Sequence, residues 1–201
     1  MKDDIYVLAH EMKNPLCVAQ GYLEMLNKDN LEKYKEKIRN EINSSIEILD
    51  NYLEYNKLFI NKEEIDINVF LLDIKENLND YLKKNHVKLR LSLLNDEVYL
   101  EADYNRLKQV FYNIIKNSVE ANSKNISIKY ETLYNEIKII IENDGIKIDN
   151  LKKIGKNYSD KVLGNGIGIN LAKKIIKLHH GKIKYYNNLN GVRCDIILPV
   201  E

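Results

Sequence analysis

The chain has 201 residues, 44% of them hydrophobic, and its 31 Lys and Arg residues almost balance its 30 Asp and Glu residues, which leaves a net charge of +1. This balance lacks the basic excess of a nucleic-acid-binding domain, and no apolar run reaches the roughly 18 residues that would predict a membrane span. Its two cysteines, Cys17 and Cys194, are too far apart to suggest a disulfide framework, so we expect a cytoplasmic protein that binds no nucleic acid.

Two long helical patterns open the sequence. Apolar residues recur at steps of three and four across residues 5–26, and a second run with the same steps extends over residues 31–56, which is the period of an amphipathic helix. The polar stretch 27–30 predicts a short turn, so the two helices are expected to form an antiparallel hairpin. Because a lone hairpin buries little surface, its apolar seam favours a homodimer, in which residues 1–60 of two chains form a four-helix bundle. The alternative is a hairpin that packs against the rest of its own chain.

The composition changes at residues 61–66, which we interpret as a linker between a helical domain, residues 1–60, and a second domain, residues 67–201. In the second domain the hydrophobic patterns predict helices at 69–82, 104–121 and 167–178, and strands at 87–93, 98–101, 126–133, 136–142, 182–186 and 193–198. Hairpin strands mixed with helices predict an α+β fold, an α/β sandwich in which helices cover one face of a mixed sheet.

The first chemical cluster lies in the first helix, where residues 10–15 have the sequence HEMKNP. His10 and Asn14 are four residues apart and therefore share a helix face. Glu11 follows His10 directly, and a carboxylate beside an imidazole can take up its proton or orient the ring when the imidazole attacks a phosphoryl group. Pro15 removes one helical hydrogen bond and predicts a loosened turn near His10. An exposed histidine beside a glutamate is also common on helices that have no chemical role.

The second cluster lies on the helix predicted at 104–121. Asn113 and Asn117 are four residues apart on one face, with Gln109 one turn before them, and apolar residues form the other face. Amide oxygens are hard ligands that suit Mg²⁺, an ion that accompanies phosphates. The alternative is an ordinary solvated polar face.

Two glycine-containing stretches complete the set. Asp144 and Gly145 follow an apolar strand, where a carboxylate can accept a hydrogen bond from an adenine amino group, although Asp-Gly is also a common turn dipeptide. Residues 164–168, with the sequence GNGIG, open the helix predicted at 167–178, and backbone N–H groups at a helix N-terminus favour phosphate. Their spacing matches neither the dinucleotide-binding fingerprint nor a P-loop.

Together and in this order, the four clusters resemble the sensor histidine kinases of two-component systems, whose ATP-binding domain has the Bergerat fold shared with gyrase, Hsp90 and the mismatch-repair ATPases. The resemblance covers nearly the whole chain. Residues 10–15 resemble the H box of the family, which implies that His10 is the phosphoacceptor and Glu11 the base in its phosphorylation. Asn14 is implied to help position water when the partner is dephosphorylated.

The resemblance also implies ATP and Mg²⁺ as cofactors. Gln109, Asn113 and Asn117 match the N box, which implies that Asn113 and Asn117 hold Mg²⁺. Asp144 with Gly145 matches the first glycine box, which implies adenine recognition by Asp144, and the glycines of 164–168 match the second glycine box at the ATP lid. The implied nucleotide contacts are Asn113, Asn117, Asp144, Gly145, Tyr158, Lys161, Gly164, Gly166 and Gly168.

Several positions depart from the family pattern. Lys147 stands where a second glycine is usual in the first glycine box, and only one glycine follows His180 where two are common. The lid segment 155–161 lacks the usual Phe and Thr residues, although Tyr158, Ser159 and Lys161 can substitute for them. The N box, Asp144 and the second glycine box are retained, so ATP binding is expected to survive.

The implied function is ATP-dependent autophosphorylation on His10, followed by phosphotransfer to an aspartate of a response-regulator receiver domain. Two alternatives use the same hairpin. One is a phosphotransferase or phosphatase whose ATP site has decayed, and the other is a dimeric scaffold that binds a receiver domain without catalysis. His86, His179 and the two cysteines lack the spacing of metal ligands and are expected to be structural.

Overall fold

The protein is described by a computed structural model that covers residues 2–56, 58–151 and 167–200. These residues belong to two compact units. The first is helical and extends to Leu58, and the second begins at Phe59.

The first unit is a helical hairpin of α1 (Lys2–Glu24) and α2 (Leu31–Asn56). Two asparagines shape the turn between them: the Asn30 side chain accepts from the Asn27 N–H at 2.8 Å and donates to the Met25 carbonyl at 3.0 Å. Asn27 in turn accepts from the Asn30 N–H at 3.1 Å. These side-chain bonds satisfy backbone groups that the helices leave unpaired at their ends, which confirms the predicted hairpin. None of the helices that the structure describes is long and apolar enough to cross a bilayer.

Packing between the two helices begins next to the turn. The rings of Tyr22 and Tyr34 lie 5.3 Å apart, and the ammonium of Lys37 lies 4.8 Å from the centre of the Tyr22 ring. Ala19 and Ile48 are buried farther along the hairpin. Of the apolar residues predicted to form the seam, Ala19 is therefore buried within one hairpin, while Leu16 and Leu23 on either side of it are exposed.

From Phe59 onward, the described residues form three helices and seven strands. The helices are α3 (Ile67–Lys84), α4 (Tyr104–Glu120) and α5 (Ile167–Leu178), and the strands are β1 (Glu63–Asp66), β2 (Lys88–Ser92), β3 (Tyr99–Ala102), β4 (Asn125–Leu133), β5 (Glu136–Asn143), β6 (Lys182–Asn187) and β7 (Val192–Pro199). Five strands make one sheet in the order β2-β4-β5-β7-β6, with β2 parallel to β4 and the other pairs antiparallel. The strands β1 and β3 form a separate antiparallel pair.

One face of the five-stranded sheet is apolar and buried. Ile128, Ile141 and Cys194 are neighbours across β4, β5 and β7, and each is at most 2% exposed. Helices α3 and α4 contribute Phe70 and Phe111, whose rings meet nearly edge to face with centroids 5.1 Å apart. Alternate residues on these strands point to the opposite face, which carries charged side chains. The predicted α+β sandwich is therefore confirmed.

The segment predicted as a linker, residues 61–66, contains the strand β1. A four-residue run in which Ile65 is the one buried residue offers too little alternation to predict a strand. Asp66 then caps α3, because its carboxylate accepts from the N–H groups of Asn68 at 2.7 Å and Val69 at 3.3 Å. This cap starts the helix two residues before its expected start. The domain boundary itself stays a prediction.

Candidate functional site

His10 lies in α1 with an exposed side chain, and Glu11 and Asn14 beside it are half-buried. The facing helix is bonded to the same turn, since the buried Ser45 of α2 donates its hydroxyl to the Met12 carbonyl at 3.4 Å. The imidazole of His10 is therefore exposed to solvent on a turn of α1 that is hydrogen-bonded to α2. An exposed imidazole is accessible to a second reactant, as phosphoryl transfer requires.

Pro15 lies inside α1, which is helical on both sides of it. Because proline has no N–H, the helical hydrogen bond from residue 15 to the carbonyl of Glu11 cannot form. The loosened turn expected next to His10 stays a prediction, since α1 is continuous from Lys2 to Glu24.

The asparagine cluster lies along one edge of α4. Asp103 caps the helix by accepting from the N–H of Arg106 at 3.0 Å, and this fixes where the helix begins. The apolar face of α4 is buried in the sheet-facing core, whereas Gln109, Asn113 and Asn117 are half-buried at its edge. The three predicted site residues of this helix therefore share one partly accessible edge.

Asn113 brings the asparagine cluster together with the second glycine stretch. Its Nδ2 donates to the carbonyl of Gly168 at 3.4 Å. A Cβ added to Gly168 would lie 3.3 Å from Cγ of Asn113, a tight contact. Glycine at this position therefore lets the first turn of α5 approach the amide directly, as a glycine-lined nucleotide site requires.

Gly145 lies at the other end of α4. A Cβ there would come within 2.5 Å of the Ser123 hydroxyl and 2.6 Å of the Ala121 carbonyl, which excludes any larger residue without rearrangement. The neighbouring N–H of Ile146 donates to the same Ala121 carbonyl at 2.8 Å. Both glycine stretches thus border α4, one at Asn113 and one at the C-terminal end of the helix.

Asp144 points away from this arrangement. One carboxylate oxygen accepts from the N–H groups of Lys124 at 2.7 Å and Asn125 at 2.9 Å, and the other accepts from the Asn125 side chain at 2.7 Å. These hydrogen bonds, that from the Asn125 side chain foremost, hold the pKa of the Asp144 carboxyl below its usual value. The Asp144 carboxylate therefore stabilises the first residues of β4 through these three hydrogen bonds.

Asn143 is a site candidate that sequence reasoning missed. It is in phase with Ile139 and Ile141 on the buried face of the sheet, at the end of β5. Its amide donates to the Ser118 hydroxyl on α4 at 3.0 Å and accepts from the Gly145 N–H at 3.0 Å. Asn143 continues the two-residue spacing of Ile137, Ile139 and Ile141, and this spacing was the signal that could have found it.

The two neighbouring histidines at the end of α5 differ in their environment. His180 is exposed and has a φ of 59°, the left-handed conformation that a glycine adopts most readily after a helix. A Cβ on Gly181 would come within 2.5 Å of the Ile197 carbonyl, so the following glycine is required by close packing. His180 therefore takes a glycine-like position, and His179 is the buried histidine of the pair.

Tyr158, Lys161, Gly164 and Gly166 lie outside the described residues, so these four expected nucleotide contacts stay predictions. Before these residues the structure describes the chain as far as Leu151. There the Asn187 side chain accepts from the Ile148 N–H at 2.9 Å and donates to the Ile148 carbonyl at 2.8 Å. This pairing fixes the path of the chain after Gly145 against the end of β6.

The donor set at α4 fits Mg²⁺ that arrives with a nucleotide. Asn113 and Asn117 offer amide oxygens on one helix edge, and Gly168 leaves room beside the first of them. Within the described part of the chain, no three His, Cys, Asp or Glu side chains converge in a way that would hold a metal ion. A site with only the amide oxygens of Asn113 and Asn117 suits Mg²⁺, because this ion commonly takes few protein ligands and completes its shell with phosphate oxygens and water.

Two protein families match successive parts of the chain. Residues 5–58 match the His Kinase A (phospho-acceptor) domain, and residues 102–201 match the Histidine kinase-, DNA gyrase B-, and HSP90-like ATPase family. The first match contains His10, and the second contains the asparagine cluster and both glycine stretches.

Similar proteins share this two-part arrangement. The chain is 30% identical to sporulation kinase E and 28% identical to sporulation kinase B of Bacillus subtilis, each over 96% of its own length. It spans 28% and 48% of the length of these two relatives. The histidine kinase ThkA, solved in complex with the response regulator protein TrrA, superposes with a TM-score of 0.84 at 26% identity over 99% of this chain and 61% of that one. The Acinetobacter baumannii histidine kinase AdeS has the same fold, with a TM-score of 0.79 at 20% identity over 96% of this chain and 98% of that one.

Proposed function

Because the chain belongs to the sensor histidine kinases, we propose that it phosphorylates itself on His10 with ATP and passes the phosphoryl group to an aspartate of a response-regulator receiver domain. The observation that best supports this proposal is the contact between Asn113 and Gly168, which unites two separately predicted nucleotide clusters in a chain that also exposes His10 on its hairpin.

The hairpin residues supply the acceptor chemistry. A nitrogen of the neutral His10 imidazole attacks the γ-phosphorus of ATP, and ADP leaves. The ring must then lose a proton. Glu11 follows His10 in the chain and is our candidate for the base that accepts this proton. Asn14, one helical turn after His10, is our candidate for orienting a water molecule when the receiver domain is dephosphorylated.

The second unit supplies nucleotide binding. We assign the phosphates to the edge of α4 and the glycine stretch that includes Gly164, Gly166 and Gly168, because a helix N-terminus and free backbone N–H groups favour anions. Asn113 and Asn117 would hold Mg²⁺, which neutralises phosphate charge when bound. The expected roles of Tyr158 and Lys161 as further nucleotide contacts are part of this proposal.

The adenine contact has two candidates. Asp144 remains the residue implied by the glycine-box pattern, with Gly145 beside it. Its carboxylate already accepts three hydrogen bonds from residues 124–125. Asn143 faces the helix layer from the end of β5, and since an amide has two N–H groups and two lone pairs, it has the capacity to meet a base besides Ser118 and Gly145. We therefore favour Asn143 as the side chain that meets the base.

The hairpin also suits a homodimer through residues 1–60. Many of its large apolar side chains are exposed in the single chain: Leu16, Val18, Leu23, Leu31, Ile42, Ile46 and Leu53. A four-helix bundle of two hairpins would bury such side chains. Residues 61–66 then link this phosphoacceptor domain to the ATP-binding domain, residues 67–201. Since ATP and receiver domains occur in the cytoplasm, we place the reaction there.

A second candidate function is favoured by the surroundings of Asp144. If Asp144 and not Asn143 is the base contact, its hydrogen bonds to residues 124–125 weaken base recognition, and the same hairpin can act as a phosphotransferase or phosphatase, or as a scaffold that binds a receiver domain. The phosphotransferase and the phosphatase need the hairpin with His10 or Asn14, the scaffold needs only the hairpin surface, and none of the three needs ATP.

Incubation with γ-labelled ATP and Mg²⁺ tests the proposal. The wild type is expected to acquire a label that is labile in acid and stable in base, as a phosphohistidine is. His10→Gln removes the acceptor and should abolish the label, while His86→Gln is the matched control because His86 is an exposed histidine of the second unit. A label that persists in His10→Gln would refute the assignment of His10. No label together with no binding of an ATP analogue would favour the second candidate.

A further inference from the structure

Asp103 forms hydrogen bonds with three parts of the second unit. One carboxylate oxygen accepts from the Arg106 N–H at 3.0 Å and caps α4, and the other accepts from the Asn61 N–H at 2.7 Å. Its own N–H donates to Nε2 of His179 at 2.9 Å. One residue therefore joins the segment that enters the second unit, the start of α4 and the end of α5.

His179 is built to accept this hydrogen bond. Its Nδ1 lies 2.8 Å from the carbonyl of Ile175, which can only accept, so Nδ1 carries the ring proton and Nε2 is the acceptor. The side chain is 2% exposed, and burial lowers the pKa of the imidazole, so the ring is neutral at pH 7. A protonated ring would have no lone pair for the Asp103 N–H.

The two helices that Asp103 and His179 join are the helices of the candidate nucleotide site. Asn113 lies ten residues after Asp103 on α4, and Gly168 lies eleven residues before His179 on α5. The helices are therefore connected at two levels, by Asp103 with His179 and by Asn113 with Gly168, about 15 Å apart along α4. Because helices are rigid over this length, a shift at one contact is transmitted to the other.

We propose that Asp103 and His179 are positioning residues of the nucleotide site, which hold α4 in register with α5 and couple that register to the backbone of Asn61. Asn61 is the first residue of the predicted linker. The position of the linker backbone and the affinity for nucleotide are therefore linked, although Asn61 is far from Asn113 in the sequence. This inference rests on the proposed function.

Binding of a fluorescent ATP analogue with Mg²⁺ to the whole chain tests the coupling. Asn61→Pro removes the N–H that donates to Asp103, and Asp103→Asn keeps an oxygen for the helix cap but replaces the other acceptor with a donor. Both are expected to weaken analogue binding at least about fivefold. Asn61→Ala keeps the N–H and should bind like the wild type, which makes it the matched control. Equal affinity in Asn61→Pro and Asn61→Ala, with unchanged melting, would overturn the inference.

Two readouts separate positioning from mere support of the fold. His179→Gln can still accept from Asp103 and donate to Ile175, so it should recover most of the affinity that is lost in His179→Leu. Coupling is also reciprocal, so bound analogue should slow hydrogen exchange of the Asn61 amide in the wild type. Exchange that is indifferent to the analogue would overturn the inference without any variant. A wild type that binds no analogue would overturn the proposed function, and the inference with it.

Discussion

Asn113 donates its side-chain amide to the carbonyl of Gly168 at 3.4 Å and so ties the polar edge of α4 to the first turn of α5. The contact depends on the absence of a side chain at residue 168, since a Cβ there would press on the amide carbon of Asn113. A residue of the N-box cluster and a residue of the second glycine stretch, 55 positions apart in the sequence, thus define one place in the fold.

Gly168→Ala should weaken nucleotide binding while leaving the fold intact. The added methyl group would lie 3.3 Å from Cγ of Asn113, so the amide must move by a few tenths of an ångström. We expect affinity for an ATP analogue to fall about tenfold, which corresponds to about 1.4 kcal/mol. Gly21→Ala is the control, because a Cβ on Gly21 in α1 meets nothing within 4 Å. That change should stabilise the chain by about 0.5–1 kcal/mol and leave affinity unchanged. Equal affinities of the two variants would contradict the role of Gly168.

Asn143→Ala and Asp144→Ala should separate base recognition from support of the sheet. Asp144→Ala removes the acceptor for the N–H groups of Lys124 and Asn125, so its main effect should be a lower Tm. Asn143→Ala removes an amide on the buried face of the sheet and should lower analogue affinity about tenfold, or about 1.4 kcal/mol. Binding is measured well below the Tm of both variants. If affinity for the ATP analogue falls in Asp144→Ala and not in Asn143→Ala, the side chain that contacts the base is Asp144.

Asp195→Asn should destabilise the fold at neutral pH. Burial raises the pKa of the Asp195 carboxyl, but hydrogen bonds from Arg193 at 2.6 Å and Lys138 at 3.2 Å outweigh it, so the net pKa lies below the usual 3.8. Removing the charge leaves two cations without their partner and should cost about 2 kcal/mol. The expected fall in Tm at pH 7 is about 4–8 °C. Glu131→Gln breaks an exposed pair with Lys129 at 4.0 Å and should change the Tm little.

The pH dependence of Asp195→Asn follows from the same shift. A carboxyl with a lowered folded pKa stabilises the fold fully above the unfolded value of 3.8, and this contribution is lost as the pH falls through the folded pKa. The difference in stability between wild type and Asp195→Asn should therefore be constant from pH 7 to about pH 5 and shrink below pH 3.8. A difference that grows on acidification would contradict the ion-pair explanation.

His179 should make the second unit sensitive to mild acid. Burial lowers the pKa of the imidazole below 6.5, so the unfolded chain binds a proton more readily than the folded chain does. Stability is unaffected above pH 6.5 and falls as the pH drops from 6.5 toward the folded pKa. Urea unfolding at pH 8, 6.5 and 5.5 measures this slope. His179→Gln should flatten it, and His86→Gln should not. An unchanged slope in His179→Gln would show that other groups cause the acid sensitivity.

The helices and most strands were predictable because their hydrophobic periods are long. The apolar run from Ile137 to Ile141 specified a strand, and the continuous apolar face of α4 specified both a helix and its buried side. The strand β1 was not predictable, since its four residues gain their place from pairing with β3 and not from local alternation. Such pairing depends on residues 33 to 39 positions away.

The site was predictable in its components and less so in their orientation. Sequence spacing placed Asn113 and Asn117 on one helix edge, but the direction of the Asp144 side chain depends on the N–H groups of residues 124–125, which only the fold brings near. The roles of Asp103 and His179 were equally hidden. Their hydrogen bond joins residues 76 apart, and a buried neutral histidine has no distinctive sequence signal.

The position of β7 in the sheet has a consequence for synthesis. This strand lies between β5 and β6 in the sheet, yet residues 192–199 follow both of these strands in the chain. The sheet cannot close, and α4 and α5 cannot gain their full support, until residues 192–199 have been synthesised. The hairpin of residues 2–56 has mainly local contacts and can form much earlier. Nascent chains can therefore pair through their hairpins before either of them has a finished ATP-binding domain.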